Sequence, residues 1–362
     1  MSGVTEFLVA KDPELDRTGD MMMFSLVYSL AQQLGPVRYI ALSREAGVRG
    51  GNTLVKKSPP SPMRLVAGAL AHGRSLVHER FDLPALRAAI TASDADRVVA
   101  DHTYLAEPFF RSGVQKKLYI NTVVSESLVW GAARGSLGRL QSGMILRDEL
   151  RAVREAVAVA TYDADEADDF ARRGARRTRW LDVTLPPVPP RERDLAAPRV
   201  AFVGDRRWPP NEEGARLLLQ WWPAISAGVP GAELLIIGHG DRPLPVVAGV
   251  RELGFVEDLD GTLATCRGIL ASIATGGGVR VKILDAVARG MPVIGTPAAV
   301  GSLDSLFDLP VETSKEGFID QARRLLLDAD RARRLGEDVY EQNVEHWRQE
   351  RPLRAVQDWL AP

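Results

Sequence analysis

Five prolines, Pro186, Pro187, Pro189, Pro190 and Pro198, fall within residues 181–198. Proline fixes φ and removes an N–H donor, so a run this dense enters neither a packed helix nor a central strand. It reads as a linker, and the same pattern of short apolar runs alternating with amphipathic helices stands on both sides of it. Before it, residues 6–10, 37–42, 97–100 and 117–122 read as strands, and 22–34, 83–92, 137–159 and 162–173 as helices. Residues 44–62, with Gly-Gly and Pro-Pro, read as a loop. After it come strands at 199–203, 233–237, 250–255, 268–273 and 292–295, a helix capped by Asn211 that runs to about Trp222, and a short helix at 258–266. Helices at 315–327 and 329–344 follow, and then an amphipathic tail at 344–360. Such alternation implies parallel strands with right-handed crossovers, so the expected fold is α/β with two doubly wound sheets. A chain of 362 residues is long enough for two cores.

Composition removes several functions. With 46 basic and 47 acidic residues the formal charge is −1, so no global field draws in nucleic acid, and phosphate recognition has to be local. A single cysteine, Cys266, excludes a disulfide framework and a cysteine-built zinc site, and a reducing cytosol fits best. No stretch is long and apolar enough to span a membrane, and residues 1–14 lack the pattern of a secretory signal. The basic run 172–179 reads as a solvated helix end, with membrane contact at most peripheral. Met21, Met22 and Met23 read as core packing.

The densest chemistry lies at Thr275-Gly276-Gly277-Gly278-Val279-Arg280-Val281-Lys282-Ile283-Leu284-Asp285. Glycines let a backbone approach an anion, a helix N-terminus offers N–H groups and a favourable dipole, and Arg280 and Lys282 add charge-assisted bonds. Cations at a helix N-terminus oppose its dipole, which is a local misfit that function explains. Arg280 and Lys282 are two residues apart and do not share a helix face, so one of them touches phosphate directly. The stretch follows a strand, where doubly wound sheets hold their ligands. It therefore reads as a socket for a diphosphate.

Five segments occur in order: Arg199-Val-Ala-Phe-Val-Gly204, Asp205-Arg206-Arg207-Trp208-Pro209-Pro210-Asn211, Leu234-Leu-Ile-Ile-Gly238, Leu253-Gly-Phe-Val256 and Gly276-Gly-Gly-Val-Arg-Val-Lys-Ile-Leu-Asp-Ala286. In order and spacing they resemble the donor half of glycosyltransferase family 4. The resemblance is dense from Arg199 to about Thr296 and looser before the linker. There Asp16-Arg-Thr-Gly19 resembles the family's glycine loop, Val99-Ala-Asp-His102 a strand ending in histidine, and Ser125-Glu-Ser127 a short polar motif.

The resemblance implies a GT-B fold, two Rossmann-like domains facing each other across a cleft. It implies an acceptor-binding domain at 1–190, joined by a C-terminal helix at 344–362, and a donor domain at 195–343. The implied activity is transfer of a sugar from a UDP- or GDP-linked donor to an acceptor hydroxyl with retention, without a metal or further cofactor. Lys282, Arg280 and His102 are then the catalytic candidates, Lys282 the first choice for phosphate and His102 for the transferred sugar. Gly19, Gly276, Gly277, Gly278 and one of Arg206 and Arg207 approach the diphosphate, Asp285 the ribose, and Gly254, Phe255 and Val256 the base. The family's two-glutamate motif falls on Gly277 and Asp285, so its first carboxylate is missing and donor specificity stays open. The acceptor is a small molecule, a glycan or a lipid-linked glycan. The rival readings are a GT-B nucleotide-sugar epimerase and a degenerate, non-catalytic subunit.

Overall fold

The computed structural model describes residues 3–16, 18–59, 61–133, 135–275 and 277–361. Two compact units divide the chain: Met1–Val183 with Gly277–Val279 and Arg351–Pro362, and Thr184–Gly276 with Arg280–Glu350.

Strands β1 (Thr5–Val9), β2 (Val37–Ser43), β3 (Gly47–Arg49), β4 (Asn52–Lys56), β5 (Arg97–Asp101), β6 (Lys117–Thr122), β7 (Ala158–Thr161) and β8 (Thr178–Trp180) build the first unit's sheet. Their order is β3-β4-β2-β1-β5-β6-β7-β8. Only the β3–β4 pair is antiparallel. The chain starts in the middle and winds out both ways, which puts the topological switch point between β1 and β5, where ligands gather. Fully buried Leu8, Ile40, Val98, Ile120 and Val159 from five strands share one core with Leu86 and Ile90 of the helix Pro84–Ala92.

The expected loop at 44–62 instead holds the hairpin β3–β4, turning on Gly50 (φ 55°) and Gly51 (φ 82°). Two left-handed residues make the tight turn whose twist matches paired strands, and glycine takes that conformation at no steric cost. The expected helix at 137–159 ends at Glu155, and β7 takes over between β6 and β8. Alanine and valine there carry no helical periodicity; pairing on both edges decides the strand.

The second unit has β9 (Arg199–Val203), β10 (Glu233–Ile237), β11 (Val250–Gly254), β12 (Ile269–Ala271) and β13 (Val293–Gly295), all parallel, in the order β11-β10-β9-β12-β13. Its switch point lies between β9 and β12. Trp222, Phe202 and Phe318, all 0–1% exposed, fill the core. Asn211 does not cap the helix after β9: Trp208 is the N-cap, Pro209 opens the helix Pro209–Ser226, and Asn211 lies one turn in. Proline at the first position needs no N–H, so the start moves ahead of the polar residue.

Residues 181–198 form no helix or strand. Arg193 nevertheless ties this segment down, donating to the carbonyls of Gly290 (3.1 Å), Cys266 (3.4 Å) and Arg267 (3.2 Å). The expected tail helix at 344–360 is two helices, Ala329–Arg348 and Arg351–Leu360, broken at Glu350 with φ 55°. The last one belongs to the first unit, where Trp359 is fully buried and Arg97 and Arg177 bond the carbonyls of Leu360 and Trp359, each at 2.9 Å.

Candidate functional site

In the second unit the carboxyl edge of the sheet is organised around Lys282, the second residue of the helix Val281–Ala288. Its Nζ donates to Asn211 Oδ1 at 2.6 Å and lies 5.4 Å from the centre of the Phe202 ring. Among the described residues no carboxylate comes within ion-pair distance of it. Burial pushes its pKa down to about 8, because a desolvated ammonium resists carrying its charge. Asn211 in turn donates through Nδ2 to the carbonyl of Asp205 (2.9 Å), which turns Oδ1 toward the lysine. Sequence reasoning missed Asn211 as a site residue, reading it as a cap.

The other cations of this edge are differently engaged. Arg206 is 3% exposed, paired with Glu212 at 2.9 Å and with Glu252, and donates to the Arg242 carbonyl at 3.2 Å. Arg207 is exposed and holds Asp205 at 2.5 Å. Arg280 is the N-cap of the Lys282 helix, its carbonyl accepting from Ile283 (2.9 Å) and Leu284 (3.1 Å). Asp285 pairs with Arg289 one turn along, Nε and Nη2 both 3.1 Å from Oδ1; Arg289 also reaches Asp260.

Gly254 ends β11 with φ 66°, and its carbonyl accepts from Gly238 at 2.7 Å. Phe255 is 66% exposed and stacks on His239 with ring centres 5.5 Å apart and planes 8° from parallel; Val256 is half-buried. His239 carries no sequence signal by itself, since the stacking partner comes from the neighbouring strand.

Gly276 lies outside the described residues. Gly277 and Gly278 are grouped with the first unit, and there the Gly278 N–H donates to Glu166 Oε1 (2.7 Å) and the Val279 N–H to the Val123 carbonyl (2.9 Å). The N–H groups expected to face an anion are thus bonded to protein at these two residues. A Cβ on Gly277 would meet Glu166 Oε1 at 3.0 Å and Leu128 at 3.4 Å, both ends of flexible side chains.

At the first unit's switch point, Gly19 is the exposed first residue of the helix Gly19–Leu34, next to Asp20, which pairs with Lys11 at 2.7 Å. His102 follows β5 with φ 105°, a conformation rare outside glycine and one that clusters at functional sites. It is 4% exposed, approaches the Asp101 carbonyl through Nδ1, and stacks on Tyr104 with centres 4.9 Å apart. Burial lowers its pKa to about 4, against the charge of Asp20, so the ring is neutral at neutral pH. Asp101, fully buried, is pushed up to about 8 by burial although Asn121 donates to it at 2.7 Å. Burial also raises Glu126 to about 7. The adjacent Ser125 and Ser127 hydroxyls are 3.1 Å apart.

Among the described residues no group of three or more His, Cys, Asp or Glu side chains is placed to hold a metal ion, and no helix is long and apolar enough to cross a membrane.

Residues 197–328 match the family model described as glycosyl transferases group 1. Sucrose-phosphate synthase from Thermosynechococcus elongatus shares the fold at 17% identity and TM-score 0.71, with 98% of each chain covered. WaaG, a glycosyltransferase involved in lipopolysaccharide biosynthesis, follows at 15% identity and TM-score 0.68, with 99% of this chain and 100% of that one covered. A UDP-forming α,α-trehalose-phosphate synthase from Burkholderia xenovorans is similar at 10% identity and TM-score 0.67, with 99% of each chain covered. No curated protein matches in sequence. The solved structures define the fold, GT-B. The matched domain then defines the class: the protein is a glycosyltransferase enzyme.

Proposed function

We propose that the protein belongs to glycosyltransferase family 4 and moves a sugar from a UDP- or GDP-linked donor to an acceptor hydroxyl with retention and without a metal, in the cytosol. On this reading the second unit binds the donor and the first binds the acceptor. The observation that carries the proposal is Lys282: a half-buried ammonium with a neutral amide and a ring face for partners, at a sheet's switch point, is a cation prepared for an anion that arrives as ligand.

Charge developing on a departing diphosphate is stabilised by such a pre-set donor, at roughly 10² to 10³ in rate by analogy with an oxyanion-hole donor. The first turn of the helix Val281–Ala288 adds N–H groups without intrahelical partners. Arg207, exposed and paired with Asp205 of its own loop, can exchange it for phosphate, whereas Arg206 is held by two carboxylates. Asp285 meets Arg289 through one oxygen, leaving Oδ2 to accept from a ribose hydroxyl. The Phe255–His239 pair offers an exposed ring on which a base can stack. His102, neutral and fixed by Tyr104, is suited to a hydrogen bond with a sugar hydroxyl.

The rival, a non-catalytic subunit, draws on Gly277 and on the engaged N–H groups of Gly278 and Val279. Calorimetric titration with UDP and GDP, paired with slow hydrolysis of UDP- and GDP-sugars, separates the two. Binding of one nucleotide, turnover of its sugar, and loss of both in Lys282→Ala are expected. Unchanged turnover in Lys282→Ala sinks the proposal, and binding of neither nucleotide favours the rival.

A further inference from the structure

The run Leu185-Pro186-Pro187-Val188-Pro189-Pro190-Arg191 takes no part in the transfer chemistry above. Its covalent structure already restricts its shape. Each proline ring holds φ at about −65°. Leu185, Pro186, Val188 and Pro189 each precede a proline, which keeps them out of the helical region as well. The run is thereby confined to polyproline II backbone, a left-handed rod with three residues per turn and no internal hydrogen bonds.

The second unit holds this rod by one edge. Residues three apart share an edge, so Leu185 and Val188 lie on one, Pro186 and Pro189 on the next, and Pro187 and Pro190 on the third. Leu185 is buried, and its carbonyl accepts from Asn343 Nδ2 at 3.0 Å and Trp347 Nε1 at 3.1 Å. The Val188 N–H donates to the Ala288 carbonyl at 2.8 Å, although the valine side chain is open to solvent. The first edge is therefore the anchored one. Pro186, Pro189 and Pro190 are exposed and Pro187 is half-buried, so the other two edges are presented outward. Arg191, at the end of the rod, meets Asp258 at 3.4 Å, and both side chains are largely exposed. A pair so open to water contributes about 0–1 kcal/mol and exchanges readily.

We infer that residues 186–191 dock, as a preformed polyproline II ligand, into a partner domain whose groove is lined by aromatic side chains and flanked at one end by a carboxylate. The aromatic walls receive the Pro186-Pro187 and Pro189-Pro190 pairs, and the carboxylate takes Arg191 over from Asp258. The order Pro-x-x-Pro-x-Arg sets the direction of the rod in the groove, because the cation stands at one end only. Docking a rod that the fold has already ordered costs little conformational entropy. The exposed surface is a narrow row of rings on a stiff backbone, a shape that matches such a groove better than it matches a lipid surface. Nothing in this depends on the transfer reaction.

The test is titration of an isotope-labelled SH3 domain, of the kind that reads Pro-x-x-Pro-x-Arg, with the full-length protein and separately with a synthetic peptide of residues 183–193. Both are expected to perturb the domain's aromatic groove, the protein binding at least as tightly as the peptide. In the full-length protein Arg191→Glu and Pro189→Ala are each expected to weaken binding about tenfold or more. The melting temperature of Arg191→Glu should be unchanged, which reports that the loss is one of contact and not of fold. Replacing the groove carboxylates of the SH3 domain by amides should abolish the difference between the protein and its Arg191→Glu variant. Binding by the peptide and not by the protein overturns the inference, since the fold would then withhold the rod. Binding by neither, or binding that Arg191→Glu leaves unchanged, overturns it too.

Discussion

Lys282 shows how a single residue exposes a site. A lysine that contributed to folding would sit against a carboxylate, and its pKa would stay high or rise. Here burial lowers it to about 8, so the folded protein binds the proton less readily than the unfolded chain. Between about pH 8 and the ordinary lysine value of 10.5 the unfolded state holds more protons, and stability rises with pH across that window. Below it the charged lysine is a standing cost. Lys282→Met is therefore expected to raise the melting temperature at pH 7 while abolishing nucleotide binding, a trade-off typical of functional residues. In the unaltered protein, affinity for UDP or GDP measured by titration should weaken as pH rises above about 8, where the free enzyme loses the charge; a flat profile from pH 7 to 10 would remove Lys282 from the phosphate. The residue type and its place after the glycines were legible in the chain. Its partly buried state, with no carboxylate partner among the described residues, was not, because that depends on Asn211 and Phe202 arriving from elsewhere.

At the scale of elements, the glycine segment is the instructive case. Its composition announces close approach to something, and what meets it here is the chain itself: Glu166 and the Val123 carbonyl take the N–H groups of Gly278 and Val279. Gly278 has φ 69°, and a Cβ would stand 2.2 Å from the Val123 carbonyl oxygen. Gly278→Ala is expected to cost about 2 kcal/mol or more, from left-handed strain together with that overlap, and denaturant titration reads it directly. A cost below about 0.5 kcal/mol would show that the segment is not held this way. Strands β1, β6, β9 and β10 were readable to within a residue because fully buried parallel strands are continuous apolar runs. The hairpin β3–β4 was not: Val48 is exposed and only Leu54 and Val55 of the pair are buried, too short an apolar run to stand out, so the left-handed glycines and the pairing with β2 reveal it. The strand β7 was absorbed into a helix for the same reason, since Ala and Val fit either period.

In the whole molecule, each unit has its own buried tryptophan. Trp222 is fully enclosed in the second unit, and Trp359 in the first, carried there by the last helix of the chain. Separate cores allow separate unfolding, so two-state behaviour is not expected. Trp222→Ala and Trp359→Ala should each remove about 3–5 kcal/mol from a different calorimetric transition; if both lower one shared transition equally, the two cores unfold as one. Apolar period and proline density are local quantities, and from them followed the expectation of two doubly wound sheets and a linker, while the anion-binding candidates came from an equally local run of glycines and cations at 275–285. Electrostatic state is not local. That His102 is neutral and held at a positive φ, and that Arg206 is consumed by Glu212 and Glu252 while Lys282 is not, came only from folding, because burial and charge partners are set by segments far apart in sequence.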